Sequence, residues 1–247
     1  MEWKDEALVL SIRAHGETAA VVELLTRENG RHFGLVHGAR SRRHRPTLQI
    51  GNHVDVVWKA RLPENLGQLQ VELRHGFAAQ VFNDPAGLAA LASLTSLARL
   101  LPERDPHPSL FEISMFVLGF LDDAGLWPAL YVRWEVALLE ELGFGLDLSS
   151  CAATGVSDNL VYVSPKTGRA VSSAAGAPFA AKLLALPRFL RPGRSSGADT
   201  EDIMNGLKLT EFFFQRHIWT PQDLMPPKAR DRLIQLLTRE MKPFGDA

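Results

Sequence analysis

The chain has 247 residues and a single cysteine, with 46% hydrophobic and 22% charged residues and a formal net charge of −1. That length fits one large domain or two modest ones, and the balance is that of a globular protein, not a disordered one. One thiol excludes an internal disulfide and any zinc site built on several thiolates, and a net charge near zero excludes a uniformly basic DNA-coating protein. Charge is nevertheless uneven. Residues 31–62 carry Arg31, Arg40, Arg42, Arg43, Arg45, Lys59 and Arg61 against Asp55 alone, and six of the eight histidines precede residue 81.

The first eighty residues read as strands. Ala7–Ala14 is apolar and partly alternating, and Thr18–Thr26 follows a His-Gly-Glu break. Glu28-Asn29-Gly30 is a turn signal, because Asn and Gly tolerate positive φ. His32–Ala39 is a third strand, and His53–Arg61 a fourth that places Val54, Val56 and Trp58 on one face. Leu69, Val71 and Leu73 alternate in a fifth. Five short strands with glycine-containing turns predict a small closed or half-closed barrel.

From Asp84-Pro85 onward the period changes. Asp84 is placed to cap a helix with Pro85 at its first position, and leucines then recur at three- and four-residue spacing from Leu88 to Leu101. Further helices are predicted at about Leu110–Ala124 and Pro128–Leu142, the latter ended by Gly143. Residues 146–177 are turn-rich, with Leu160–Val163 as a short strand. Helices are expected to resume near Pro178, and again over Asp199–Ile218 and Pro227–Met241, with an exposed Gly/Ser loop at 191–198. The fold class is therefore α+β: a barrel domain over residues 1–80, then a helical domain over 81–247 with a small irregular insert. The start lacks a signal-peptide core and no apolar run approaches a membrane span, so with one thiol a reducing cytoplasm is expected.

The most informative run is Arg40-Ser-Arg-Arg-His-Arg45. Four guanidiniums in six residues repel one another unless anions are near, and Arg offers bidentate phosphate contacts and a flat face for bases. The plain alternative is a solvated loop. Phe33, Trp58 and Phe77 lie in the same segment; Trp58 shares its face with Val54 and Val56 and is assigned to the core, whereas Phe33 is free to point either way. Phe212-Phe213-Phe214 cannot share one helical face, which implies a helix buried on most sides; the alternative is one ring lining a partner's pocket with Lys208 or Arg216 at its rim. Arg133 stands early in an apolar helix, against the dipole, either paired with Glu135 or kept for an incoming carboxylate. No G-x-S-x-G, P-loop or H-E-x-x-H motif is present. His32 and His37 are five apart in a strand and face opposite ways, which disfavours a shared metal. Cys151 has no evident base, and no enzymatic role is expected.

Several stretches together resemble the bacterial RecO family: ALVLSIRAHGETAAVVELLTRENGRHFGLVHGARS at the start, then LLPERDPHPSLFE, VRWEVALLEELGFGLDLSSCAATG, YVSPKTGRAVS and GLKLTEFFF, in family order over essentially the whole chain. The resemblance implies an N-terminal OB-fold and a helical C-terminal domain. It implies a non-enzymatic recombination mediator that binds single- and double-stranded DNA and anneals complementary strands. With RecR, such proteins help RecA load on DNA coated by single-strand binding protein (SSB). DNA contacts are then expected from Arg40, Arg42, Arg43 and Arg45, with Lys59 and Arg61 in the same basic segment. Arg133, the arginine of the family's V-R-[FW]-E motif, and Lys208 are expected to receive the acidic SSB tail. Some members carry a four-cysteine zinc site; here Cys151 alone stands at such a position, so no cofactor is expected. A rival reading is a protein-interaction adaptor whose barrel does not touch DNA.

Overall fold

The computed structural model describes residues 1–42, 44–193 and 197–240. By internal packing the chain forms two compact units, one from Met1 to Asp122 and one from Asp123 onward.

In the first unit five strands, β1 (Glu2–His15), β2 (Ala19–Thr26), β3 (Arg31–Val36), β4 (His53–Lys59) and β5 (Gln68–His75), close a barrel in the order β1-β2-β3-β5-β4. This is the five-stranded OB arrangement. β1 does the closing. Its first half pairs antiparallel with β4 (Trp3 opposite Trp58), and its second half pairs with β2 (Ile12 opposite Val22). A register shift between Val9 and Ser11 marks the bend, and bulges of this kind sharpen local twist where a barrel turns a corner. β1 starts five residues before the expected strand: Glu2–Glu6 is charged at every position but Trp3, yet it pairs with β4 and packs Trp3 and Ala7 into the barrel cluster.

The alternation anticipated for β4 holds: Val54, Val56 and Trp58 are buried, with Ala7, Val9, Val22, Leu24, Leu69 and Val71 around them. Trp58 stacks on Trp3 at 5.5 Å, and its indole N–H donates to the carbonyls of Phe33 (3.2 Å) and Leu66 (3.1 Å). Gly67 makes the second contact possible. It sits at φ +69°, and a Cβ there would lie 2.4 Å from the Trp58 ring.

The barrel leads through a single turn, α1 (Phe77–Gln80), to α2 (Pro85–Ala98) and α3 (Pro108–Gly119). Asp84 caps α2 as expected, accepting from the Ala86 amide at 2.9 Å with Pro85 at the first position. A buried carboxylate ties α2 to the barrel: Glu23 of β2 accepts from Arg31 (2.6 Å), Arg99 (2.8 Å) and the Ser11 hydroxyl (2.7 Å). Two cations and a hydroxyl satisfy oxygens that burial would otherwise strand.

The second unit holds α4 (Trp127–Glu141), a three-stranded sheet, α6 (Thr200–Phe214) and α7 (Lys228–Glu240). Gly143, at φ +86°, follows α4 as anticipated. The sheet has the order β7-β6-β8, from β6 (Leu160–Val163), β7 (Ala170–Ser172) and β8 (Leu184–Ala185). The helix expected from Pro178 does not form. After a short turn, α5 (Ser173–Gly176), the chain runs through a 3-10 segment (Ala177–Lys182), then β8, then a 3-10 turn (Arg188–Leu190). Two prolines explain this. Pro178 and Pro187 bracket a stretch too short for a stable helix, and the Leu186 amide bonds to Val161 in the sheet instead (2.9 Å). α6 is capped by Asp199, which accepts from the Asp202 amide, and continues into a π turn at Gln215–Trp219. It packs along α4, and Phe213 and Phe214 are buried as a helix wrapped on most sides requires. Residues 194–196 of the expected loop, and Met241 at the expected end of the last helix, fall outside the described residues.

Candidate nucleic-acid interface and protein-tail pocket

The basic run lies in the connection between β3 and β4. That connection is pinned, not loose. Leu48 is buried in the barrel core, the Asn52 side chain donates to the carbonyls of Pro46 (2.7 Å) and Thr47 (3.0 Å), and backbone bonds join Ser41 to Gly38, His44 and Arg45 to Ser41, and Leu48 to His44. On this support Arg40, Arg42 and Arg45 are exposed, and none makes an ion pair among the described residues. Arg43 falls outside the described residues. The same is not true of every cation in the segment. Arg31 is held by Glu23 and donates to the Leu101 carbonyl (2.7 Å), so it is committed to the fold.

Beside the loop, the outer face of β4 and β5 carries a groove of about 320 Å³ lined by His37, His44, Lys59, Gln68, Gln70 and Glu72. His44 belongs to the arginine loop itself, so the loop borders this groove. A second depression of about 480 Å³ shares Lys59 and Gln68 and adds Arg61 and Asn65. Lys59 pairs with Glu2 at 3.1 Å, both half exposed. Such exposed pairs contribute about 0–1 kcal/mol, little against exchange for a phosphate. Arg61 is exposed with no acid partner among the described residues. Strand pairing thus brings Lys59 beside Gln68 of β5, and Arg61, just past the end of β4, lines the second depression with them. The sequence reading missed His37, His44, Gln68 and Gln70; the signal for the last two was their alternation with Leu69 and Val71.

Aromatic stacking on this surface is limited. Trp58 and Phe77 are buried, and Phe33 lies under the Arg31 guanidinium at 5.5 Å. His32 and His37 do face opposite ways, the first into the core and the second into the groove.

In the second unit, α4 presents Arg133 and Val136 to an open cavity of about 430 Å³, lined also by Leu148, Phe189, Leu190 and Arg191. Arg133 donates to the Phe189 carbonyl, which holds its guanidinium at the rim. It does not pair with Glu135, which is turned inward to Arg230. Arg191 donates through Nε (3.3 Å) and Nη2 (3.0 Å) to the Leu186 carbonyl. Two guanidiniums over an apolar floor suit a chain end that carries carboxylates and an apolar side chain. Lys208 is exposed on α6 and is not among the residues lining this cavity. Arg191 was missed, because the sequence reading put this stretch in a helix and the flanking loop.

Zinc finds no matching donor set. The Cys151 sulfur is buried and accepts the Ser172 amide at 3.2 Å, and among the described residues no cluster of three or more His, Cys, Asp or Glu is placed to hold a metal. No described helix is long and apolar enough to cross a membrane.

Residues 1–77 match the family model for the recombination protein O N terminus, and residues 83–222 match that for its C terminus. The chain belongs to the RecO family. DNA repair protein RecO of Methylobacterium nodulans is 50% identical over 244 residues, covering 97% of this chain and 99% of the relative. Those of Rhodospirillum centenum (53% over 237 residues, 95% of this chain and 94% of the relative) and Agrobacterium fabrum (46% over 242 residues, 98% and 95%) are similar along nearly their whole length. This RecO chain is thus a DNA repair protein of the recombination class, and both surfaces just described lie within the matched regions.

Proposed function

We propose that this chain is a recombination mediator that acts by binding and not by covalent catalysis. Its arginine loop and barrel groove bind single- and double-stranded DNA, and it anneals complementary strands. With RecR it helps RecA load on SSB-coated single strands. The observation that carries this reading is the set of exposed arginines, Arg40, Arg42 and Arg45, which make no ion pair among the described residues. Such cations gain most from phosphate, because each contact releases condensed counterions. Lys59 and Arg61 extend the same surface, and Arg43, outside the described residues, belongs to the same basic run of the sequence.

Annealing follows from charge. Two strands repel until their phosphates are neutralised, and a cationic surface that holds both lowers that repulsion and raises encounter frequency. The cavity at Arg133 and Arg191 supplies recruitment: it accepts the acidic, apolar-ended SSB tail, one guanidinium meeting carboxylates while the last side chain enters the slot formed by Val136, Leu148 and Phe189.

The test is an annealing assay with complementary oligonucleotides coated by SSB. The protein should accelerate duplex formation, and an SSB lacking its C-terminal tail should reduce that acceleration. Partner binding with no mobility shift of DNA at low salt would instead identify the adaptor.

A further inference from the structure

Helix α7 carries a cationic strip that the reading above does not use. Lys228, Arg232, Gln235 and Arg239 follow one another at spacings of four, three and four residues. At 3.6 residues per turn this keeps all four on one narrow arc of the helix. All four are exposed. None of the three cations makes an ion pair among the described residues, whereas their neighbour Arg230, on the opposite side, is buried against Glu135. The arc contains no acid: Asp231 lies to its side.

The chemistry of the strip selects its ligand. The apolar side of α7 is already consumed, with Leu233 and Leu237 buried, so the helix cannot lay an apolar face into a lipid interface. The arc offers no apolar anchor for a protein hot spot. What it offers is a row of long cations and one amide, about 16 Å from end to end at 1.5 Å per residue. One strand of B-form DNA carries about five phosphates over that length.

We infer that this face of α7 is a second binding site for a nucleic-acid backbone, which holds one strand while the barrel loop holds the other during annealing. The inference rests on the DNA-binding reading of the barrel, and it adds a requirement: annealing needs cations on both units, although capture of a first strand needs only the barrel. Because both surfaces belong to one chain, the two held strands are tethered to one molecule, which replaces a search through bulk solution.

The experiment uses the full chain, naked complementary oligonucleotides and no other protein. Lys228→Ala/Arg232→Ala/Arg239→Ala should bind one labelled strand within about twofold of wild type but anneal about tenfold more slowly. The salt dependence of its annealing rate should also be shallower, since fewer counterions are displaced. The charge-keeping variant Lys228→Arg/Arg232→Lys/Arg239→Lys should anneal at the wild-type rate, which separates charge from fold. Wild-type annealing by the alanine variant overturns the second site and leaves the barrel reading standing. Failure of the wild-type protein to bind a strand at all overturns both.

Discussion

Glu135 and Arg230 are 95 residues apart in sequence, yet Arg230 donates to Glu135 through Nε at 2.7 Å and Nη2 at 3.1 Å, with both side chains almost wholly buried. The same guanidinium also donates to the Leu207 carbonyl (2.9 Å) and approaches the Thr210 hydroxyl (3.2 Å). The ring of Trp219 is 5.9 Å from it. Neighbours in one motif thus have opposite fates: Arg133 faces the cavity it shares with Phe189 and Arg191, and two residues on Glu135 faces the core. Removing one partner of a buried pair leaves the other charge without compensation, which costs about 3–5 kcal/mol. Glu135→Gln should therefore lower the urea midpoint of the second unit by that equivalent. An unchanged midpoint would show that Arg230 finds other compensation.

The arginine loop is expected to act through phosphate. Each lost contact on a single strand removes about 0.7 from the slope of log K against log salt. Arg40→Ala/Arg42→Ala/Arg45→Ala should therefore lower that slope by about 2 and weaken binding most at low salt. Because these side chains make no ion pair among the described residues, thermal stability should stay close to wild type. A salt titration by fluorescence anisotropy checks both, and a slope equal to that of wild type would remove the loop from the interface.

The barrel core contains a pH-sensitive element. His32 is wedged between Trp3 (5.1 Å) and Trp58 (5.3 Å), with its Nδ1 3.2 Å from the Asn29 carbonyl. Burial pushes its pKa below 6.5 despite that hydrogen bond, and burial does the same to His53 despite nearby Glu6. The folded state therefore binds protons at these sites more weakly than the unfolded chain does. Stability is fully present above the unfolded value of about 6.5 and declines as pH falls below it. Denaturant midpoints should be flat from about pH 7 to 8 and fall from about pH 6.5 toward 5.5. His32→Gln should make that fall shallower, and an unaltered profile would assign the effect to other groups.

Much of this architecture was legible in the sequence, and the failures have physical causes. Alternation in β4 and β5 placed Val54, Val56, Trp58, Leu69 and Val71 inside, because a period of two admits one buried face. The Asp84-Pro85 cap and Gly143 marked helix ends by backbone chemistry alone. The opening half of β1 was hidden, since four of its first five residues are charged and its partner β4 is about fifty residues away. The helix read from Pro178 failed because sheet pairing to β6 outweighed local propensity. Site residues were harder. A count of cations could not know that Glu23 withdraws Arg31, nor that a turn after Pro187 carries Arg191 to the same cavity as Arg133. Those are long-range contacts that no local pattern encodes.

Cys151 leads to a metal prediction. Its sulfur already accepts the Ser172 amide, and the described residues offer it no companion ligands. The segment around β6 and β7 is held by backbone bonds instead, such as Ala152 to Ala170 (2.8 Å) and Ser164 to Arg169 (2.9 Å). Purified protein should contain no stoichiometric zinc, and a chelator should leave its unfolding midpoint in place. A chelator-induced drop would mean that this segment folds around a metal after all.

The cavity proposed for the SSB tail separates two candidate cations. Arg133 lines it and Lys208 does not, so their replacement should not be equivalent. Losing a charge-assisted hydrogen bond costs about 1.5–3 kcal/mol, roughly ten- to more than a hundredfold in Kd. Arg133→Ala should weaken an SSB tail peptide by that factor, and Arg133→Glu should abolish binding by placing like charge against the carboxylates. Arg191→Ala should resemble Arg133→Ala, whereas Lys208→Ala should stay within about twofold of wild type. Isothermal titration with the tail peptide reads all four, and circular dichroism confirms that the helices persist. If Lys208→Ala proved the damaging change and Arg191→Ala the silent one, the tail would dock on the exposed face of α6 and not in this cavity.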